Sequence, residues 1–413
     1  MRNNWINCKI KDLGEVVAGG TPSTTIPDYW SGNIPWITPK DMSQQSNKKY
    51  ISNGERYITK MGLINSSSKL LPKETVLFTS RAPIGYIGIA TQSIATNQGF
   101  KSIVVNESNS NEFVYYLLKH SVEKIIGMAG GSTFKEINGT TFKEIEVKIP
   151  PLPTQRRIAG ILSALDDKIE NNRKICDTLE QIAQALFKRW FVDFDFPDAQ
   201  GRPYKSSGGR LVESELELIP EGWENISIKD FSTIIDCLHS KKPEKKNDGN
   251  LFIQVYNIGN NGWINFNEPF YVDDNDYNNW INRMKIQKGD FVITKTGRVG
   301  AVGQMPRNYE AAMGRNMVGI RSQYPWFMRT YLLSGANNRQ VKNLTNDGTI
   351  MPSLHVKAIN KFSILGKMSL IKKFNEITKP IYLTEENLFL ENINLQQTRD
   401  TLLPKLMSGE VEV

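Results

Sequence analysis

The chain has 413 residues, more than the roughly 100 to 200 of an ordinary domain, so more than one core is expected. Hydrophobic residues make up 39% and charged residues 23%, a globular balance, and no apolar run reaches the roughly 18 residues that would span a bilayer. The 51 Lys and Arg against 43 Asp and Glu leave a charge of +8, which suits an anionic partner but is spread too thinly to demand one.

The first residues, Met1 to Trp5, carry one Arg and no apolar stretch, so neither a secretory nor an organelle address is supported and a cytoplasmic protein is expected. Cys8, Cys176 and Cys237 lie far apart without a CxxC spacing, which fits reduced thiols and gives no zinc pattern. Over about the first 150 residues, apolar runs such as Thr75 to Phe78 alternate with Gly, Asn, Pro and Ser clusters, and Glu112 to His120 reads as a short helix. This part is mixed α and β. After Pro150-Pro151-Leu152-Pro153 the pattern changes, because Thr154 to about Val192 has no Pro and only Gly160. A long helix is predicted there. Ile158, Leu162, Leu165, Ile169, Asn172, Cys176, Leu179, Ala183, Leu186 and Trp190 step by four and three, the period that keeps one stripe on a partner helix.

From there the chain repeats itself. Lys73, Thr79, Gly85 and Gly88 recur as Lys288, Thr294, Gly300 and Gly303, a shift of 215. Trp5 with Ile10-Lys11-Asp12 returns as Trp223 with Ile228-Lys229-Asp230, Tyr116-Leu117-Leu118 as Tyr331-Leu332-Leu333, and Leu186-Phe187-Lys188 as Leu402-Leu403-Pro404. A repeat of half the chain is too long for a solenoid and reads as a duplicated domain with its following helix. In the second helix Phe374, Ile381, Leu388, Leu395 and Leu402 recur every seven, with Thr378, Glu385, Asn392 and Arg399 at the other seam positions. Pro380 is expected to kink or restart that helix. The fold class expected is α+β, with two pseudo-repeated mixed α/β domains alternating with two long helices that pair as an antiparallel intramolecular coiled coil. A helix of about 39 residues is about 58 Å long, enough to hold the two domains well apart.

Four segments resemble the specificity subunits of type I restriction-modification enzymes. Gly19-Gly20-Thr21-Pro22-Ser23 with Ile34-Pro35-Trp36-Ile37 looks like the opening of their target recognition domains, and Leu186 to Pro197 like the end of their first helix. Gly201 to Gly209 with Ile219-Pro220-Glu221-Gly222-Trp223 is similar to their linker, and Leu402 to Glu410 to their C-terminus. The resemblance implies a target recognition domain over 1–150, a spacer helix over 151–195, a linker over 196–222, a second target recognition domain over 223–366, and a second helix and tail over 367–413. It also implies double-stranded DNA, two adenine-methyltransferase subunits and motor-nuclease subunits as partners, with no membrane.

No catalytic pattern survives inspection. Gly14 to Thr21 has phosphate-loop spacing, but Gly20 stands where the Lys must be. Gly85-Tyr86-Ile87-Gly88 and Gly300-Ala301-Val302-Gly303 imitate a nucleic-acid clamp but read equally as strand bends. Asp274 to Asn278 begins like a calcium loop and fails at Asn279 and Lys285. Pro197-Asp198 with Glu244-Lys245-Lys246 has nuclease letters beside a flexible linker, and His120, His239 and His355 have no partner at ligand spacing. Asp193 and Asp195 read as a structural helix exit. Neither an Asn-Pro-Pro-Tyr motif nor a glycine-rich cofactor loop is present, so no metal or cofactor is expected and methylation is assigned to a partner chain.

A reader of DNA needs cations for phosphates and amides, hydroxyls or guanidinium groups for base edges. Matching loops offer Thr38, Lys40, Asp41, Ser80, Arg81, Asn97 and Gln98 in the first half, and Gln254, Tyr256, Asn257, Lys295, Thr296, Arg298, Arg315 and Asn316 in the second. Lys241 and Lys242, with Lys245 and Lys246, form the densest basic cluster, suited to phosphate. Two other readings stay open at this point: a tandem repeat that binds RNA or protein, and a single-chain nuclease.

Overall fold

A computed structural model describes residues 5–45, 48–131, 135–214, 218–346 and 352–413; Met1 to Asn4, on which the targeting reading partly rests, lie outside them. The chain forms two compact units, Met1–Asn171 with Asn394–Val413, and Asn172–Ile393.

In the first unit, five strands order as Gly14–Ala18, Lys101–Val105, Val76–Phe78, Ile87–Ala90 and Tyr50–Ile51. Val76, Leu77 and Phe78 are all buried, which is why this strand reads as a continuous apolar run rather than an alternation. The helix Asn111–Gly127 starts where the Ser110 side chain accepts a hydrogen bond from the Phe113 N–H. Its Phe113, Tyr116 and Leu117 share a core with Val76, Phe78 and Ile103. A second sheet orders Arg56–Ile58, Trp30–Ile37 and Ala95–Thr96, the last two strands parallel. Ile6–Lys9 pairs antiparallel with Glu146–Ile149, bringing the two ends of the unit's chain together before the long helix.

The second unit has the same parts. Ser232–Asp236, Met317–Ser322, Phe291–Thr294 and Val302–Gln304 form one antiparallel sheet. Asn250–Ile253 runs parallel to Glu310–Met313, as Trp30–Ile37 does to Ala95–Thr96, and Glu224–Ser227 pairs with Ser363–Gly366. The two glycine motifs occupy matching hairpins: Gly85 has φ +101° and Gly300 φ +76°, and a Cβ would stand 2.7 Å from Val122 Cγ1 or 2.6 Å from Val341 Cγ1. These are backbone bends packed on a helix, not clamps.

The long helices are Leu152–Phe191 and Met368–Ser408. Within the first unit Ile158, Ala159 and Leu162 share a core with Leu403, Leu406 and Met407, and Arg399 Nη1 lies 2.6 Å from Asp166 Oδ1. Within the second, Asn172 donates to Asn392 at 2.9 Å, while Phe187 and Trp190 pack on Phe374 at ring distances of 5.9 and 5.5 Å. Rising numbers on one helix meet falling numbers on the other, so the pairing is antiparallel.

Along the first helix Ile158, Leu162 and Ile169 are buried, and Leu165, Leu179 and Leu186 half-buried. Along the second, Phe374 is buried but Ile381, Leu388, Leu395 and Leu402 are half-buried. The deeper positions belong to Ile371, Thr378, Tyr382, Glu385, Phe389, Asn392, Leu403 and Leu406. The apolar heptad therefore flanks a stripe with polar members, which is tolerated because those members find partners. Pro380 does not restart the helix, which runs unbroken through it. Pro380 is exposed, as is Glu376, whose carbonyl four residues earlier loses its N–H partner and stays open to solvent.

The segment between the first helix and the second domain is ordered where described. Phe194, Phe196 and Ile219 are buried with Trp223, Phe196 stacks on Tyr204 at 4.6 Å, and Leu211–Glu213 pairs with Leu218–Pro220. Among the described residues no helix is long and apolar enough to cross a membrane.

Candidate nucleic-acid interface

In the first unit the loop after Gly14–Ala18 meets the loops after Trp30–Ile37 and Ala95–Thr96. Gly20 N donates to Thr96 O at 2.9 Å, Asn97 N to Ile37 O at 3.0 Å, and Ser80 N to Gly99 O at 2.7 Å. A Cβ on Gly99 would touch Pro39 and Arg81, so Thr38, Arg81 and Asn97 come to one edge, where Thr21 hydrogen-bonds Gln98. The motif loop is held by two indoles: Trp36 Nε1 donates to Gly20 O at 2.9 Å and Trp30 Nε1 to Ser23 O at 3.0 Å.

The second unit repeats this convergence with other side chains. Lys295 N donates to Asn316 O at 2.7 Å, Cys237 N to Met317 O at 3.3 Å, and Lys295 Nζ lies 2.5 Å from Asp236 Oδ1. Arg298 reaches back to Ile258 O at 2.8 Å and Asn260 Oδ1 at 2.6 Å. Gly314 packs so closely on Ile253 and Gln254 that a Cβ would be 2.3 Å from Ile253 O.

Not every predicted contact is free to serve. Asp41 is 3% exposed and caps a helix: Thr38 N and Oγ1 donate to its Oδ2 at 2.8 and 2.5 Å, and Glu55 N to its Oδ1 at 2.7 Å. Asn257 does the same job at the matching position, accepting from Gln254 N at 2.8 Å and donating to Asn265 O at 2.9 Å. Ser80 is buried below Arg81. These three leave the candidate surface and support it. Lys295 is mostly withdrawn onto Asp236. Lys40 is exposed but paired with Glu55 at 2.7 Å, and Arg81 pairs with Glu136 at 3.4 Å. Gln98, Lys241, Lys242, Tyr256, Arg298, Arg315 and Asn316 are exposed; Thr38, Asn97, Gln254 and Thr296 are half-buried.

One cation and one pairing here went unseen in sequence. Lys101 is buried beside Ser80 and Glu136, and burial lowers its pKa against the pull of Glu136. It opens the strand Lys101–Val105, and only the fold brings it against Ser80 and Glu136. His239, which the sequence leaves without a partner, has Nε2 3.0 Å from Asp236 Oδ2. Burial pushes Asp236 up, but hydrogen bonds from Lys295 and His239 outweigh it and hold the carboxyl below its usual value. Asp236, Cys237 and His239 bring ligand-capable atoms within 4.8 Å of one another. With Lys295 and His239 on the two carboxylate oxygens, the group forms a polar network that fixes the loop. Asp193 and Asp195 do not face each other: Lys188 takes the first at 2.7 Å and Ser206 the second. Asp198 closes a turn by accepting from Gln200 N and Arg202 N at 2.8 Å, an ordered site rather than a flexible flank.

Below the second loop cluster lies a buried ion pair. Arg329 donates to Glu385 Oε1 at 2.5 Å, to Gly262 O at 2.7 Å and to Asn261 O at 3.0 Å, and Trp263 Nε1 donates to the same carboxylate oxygen at 2.9 Å. Burial pushes Glu385 up, opposed by Arg329. This joins the second domain to its helix.

The family described as Type I restriction modification DNA specificity domain matches residues 2–181. The MjaIX specificity subunit of a type I restriction enzyme from Methanocaldococcus jannaschii is 33% identical over 423 residues, covering 99% of this chain and 94% of that one. The chain belongs to the type I restriction enzyme specificity subunits. The HindI specificity subunit of Haemophilus influenzae is 27% identical, covering 75% of this chain and 80% of its own. A specificity-subunit crystal structure from M. genitalium shares the fold at TM-score 0.55 and 17% identity, over 98% of this chain and 97% of that one. As a specificity subunit the chain is a DNA target-recognition component and not a catalyst.

Proposed function

We propose that the chain reads an asymmetric two-part duplex target, one part with the loops of residues 1–150 and the other with those of residues 223–366. The helical segments 151–195 and 367–413 set the spacing and dock two adenine-methyltransferase subunits, to which motor-nuclease subunits are added; 196–222 links the halves. One observation carries this reading. The same loops converge at the same edge of a repeated scaffold, while their side chains differ: Thr38, Lys40, Arg81, Asn97 and Gln98 against Gln254, Tyr256, Thr296, Arg298, Arg315 and Asn316. A common frame with unlike readers fits two unlike half-sites, since base-edge contacts carry sequence and the frame does not.

The test is an exchange. Residues 223–366 are replaced by the corresponding segment of another specificity subunit, and the methylated motif is read from the genome. One half-site should change while the other half and the spacing persist; a motif altered in both halves, or in neither, refutes the division of labour.

A further inference from the structure

Arg56 lies on the edge strand of the first unit, is exposed, and among the described residues has no carboxylate at ion-pair distance. Its guanidinium carbon sits 3.4 Å from the centre of the Trp30 ring and 5.5 Å from that of Trp36. The two indoles meet edge to face at 5.1 Å and hold the Gly20–Ser23 loop through their N–H groups. In the second unit, Lys242 Nζ lies 4.6 Å from the centre of the Phe270 ring, and Phe270 packs on Phe252 at 5.6 Å. Trp36 and Phe252 each stand one residue before the end of the matching strand, Trp30–Ile37 or Asn250–Ile253. Each half thus seats a cation on an aromatic ring that packs against a second ring, with the cation delivered by an edge strand in one case and by the loop in the other.

We infer that Arg56 and Lys242 are matching phosphate contacts that fix each recognition domain on the DNA backbone. The assignment rests on the target-reading role above. Three points lead to it. Stacking on a ring holds the charge in place before DNA arrives, so less side-chain freedom is lost on binding. Several other cations of the clusters are already paired with carboxylates: Lys40 with Glu55, Arg81 with Glu136, Lys295 with Asp236. What is kept between the halves is the charge on its aromatic seat, not the planar fork. A phosphate accepts either group, Arg as a fork and Lys as a point charge, so the exchange of one for the other leaves a backbone contact intact. A device shared by two domains with unlike readers serves what their targets have in common, which is the sugar-phosphate backbone.

The experiment measures binding of the assembled methyltransferase complex to a duplex carrying its methylated motif and to a scrambled duplex, across a salt series. Arg56→Gln keeps a planar group over Trp30 without the charge, and Arg56→Lys restores the charge. For the Gln variant the slope of log K against log salt should become shallower by about 0.9, the value for one lost phosphate contact. Affinity should fall by the same factor on both duplexes, the methylated motif should stay unchanged, and the Lys variant should recover the slope. Lys242→Gln should behave likewise. A motif that loses definition at one position would reveal a base contact and overturn the assignment, as would an unchanged slope in a complex whose wild type prefers its motif. A wild-type complex indifferent between the duplexes would instead overturn the target-reading role, and this assignment with it.

Discussion

Arg329→Met removes the cation from a site where Arg329 and Glu385 side chains are 1% and 4% exposed. The carboxylate keeps Trp263 but loses its counter-charge, and the Gly262 and Asn261 carbonyls lose their donor. Breaking one side of a buried pair costs about 3–5 kcal/mol, because an uncompensated charge stays in a dry site. In a unit of this size each kcal/mol lowers the midpoint by roughly 2–4 °C, so the second unit should melt about 6–20 °C earlier. Replacing both partners, as Arg329→Met with Glu385→Leu, should recover part of that loss, since apolar substitution of a whole pair is far milder. Hydrogen exchange read by mass spectrometry on peptides of each unit separates the two: protection should fall in 172–393 and hold in the first unit. A single variant as stable as wild type, or a double variant no better than the single, would refute the account of this pair.

Asp166 is pushed up by burial but held below its usual value by Lys119, Arg399 and a hydrogen bond from Tyr116. Its contribution is therefore present above the unfolded pKa near 3.8 and lost as pH falls through the folded value; Asp166→Asn should flatten the acid limb of the first unit's pH-stability curve. Gly85→Ala and Gly300→Ala each force a side chain into positive φ against a valine, and should destabilise their own unit by about 1–3 kcal/mol in denaturant titrations. Arg315→Ala, at an exposed loop position, should relax the methylated motif at one base pair, a loss of about 1–3 kcal/mol in discrimination measured by competition binding. Asn172→Ala removes hydrogen bonds to Glu391 at 2.7 Å and Asn392 at 2.9 Å in the helix seam, and calorimetry should register about 1–3 kcal/mol.

The duplication was legible because glycines and strand residues sit at a nearly constant offset, and the first helix because its stripe is apolar. The second helix was legible only in outline. Its deepest positions include Thr378, which bonds back to Phe374 O, and Glu385 and Asn392, whose partners Arg329, Trp263 and Asn172 lie far away in sequence, so hydropathy points to the flanking Ile381, Leu388 and Leu395 instead. Pro380 looked disruptive because a sequence does not say which face meets water. The candidate segments do follow their strands, but Lys40 and Asp41 lie in the helix Pro39–Gln44 and Tyr256 and Asn257 in the helical turn Val255–Asn257 rather than in loops. Their readers could not be sorted, since Asp41 and Asn257 have the composition of base contacts and the geometry of caps. Arg56 escaped notice because its seat is made of Trp30 and Trp36 across a strand pair, a relation that spacing does not encode.

On the proposed function, this chain dictates where a partner methylates. The direct measurement is genome-wide mapping of N6-methyladenine in cells expressing the chain with its methyltransferase subunit, with and without this chain. One bipartite motif that disappears on deletion is the predicted result; methylation that persists unchanged while the intact chain is expressed and folded would contradict it.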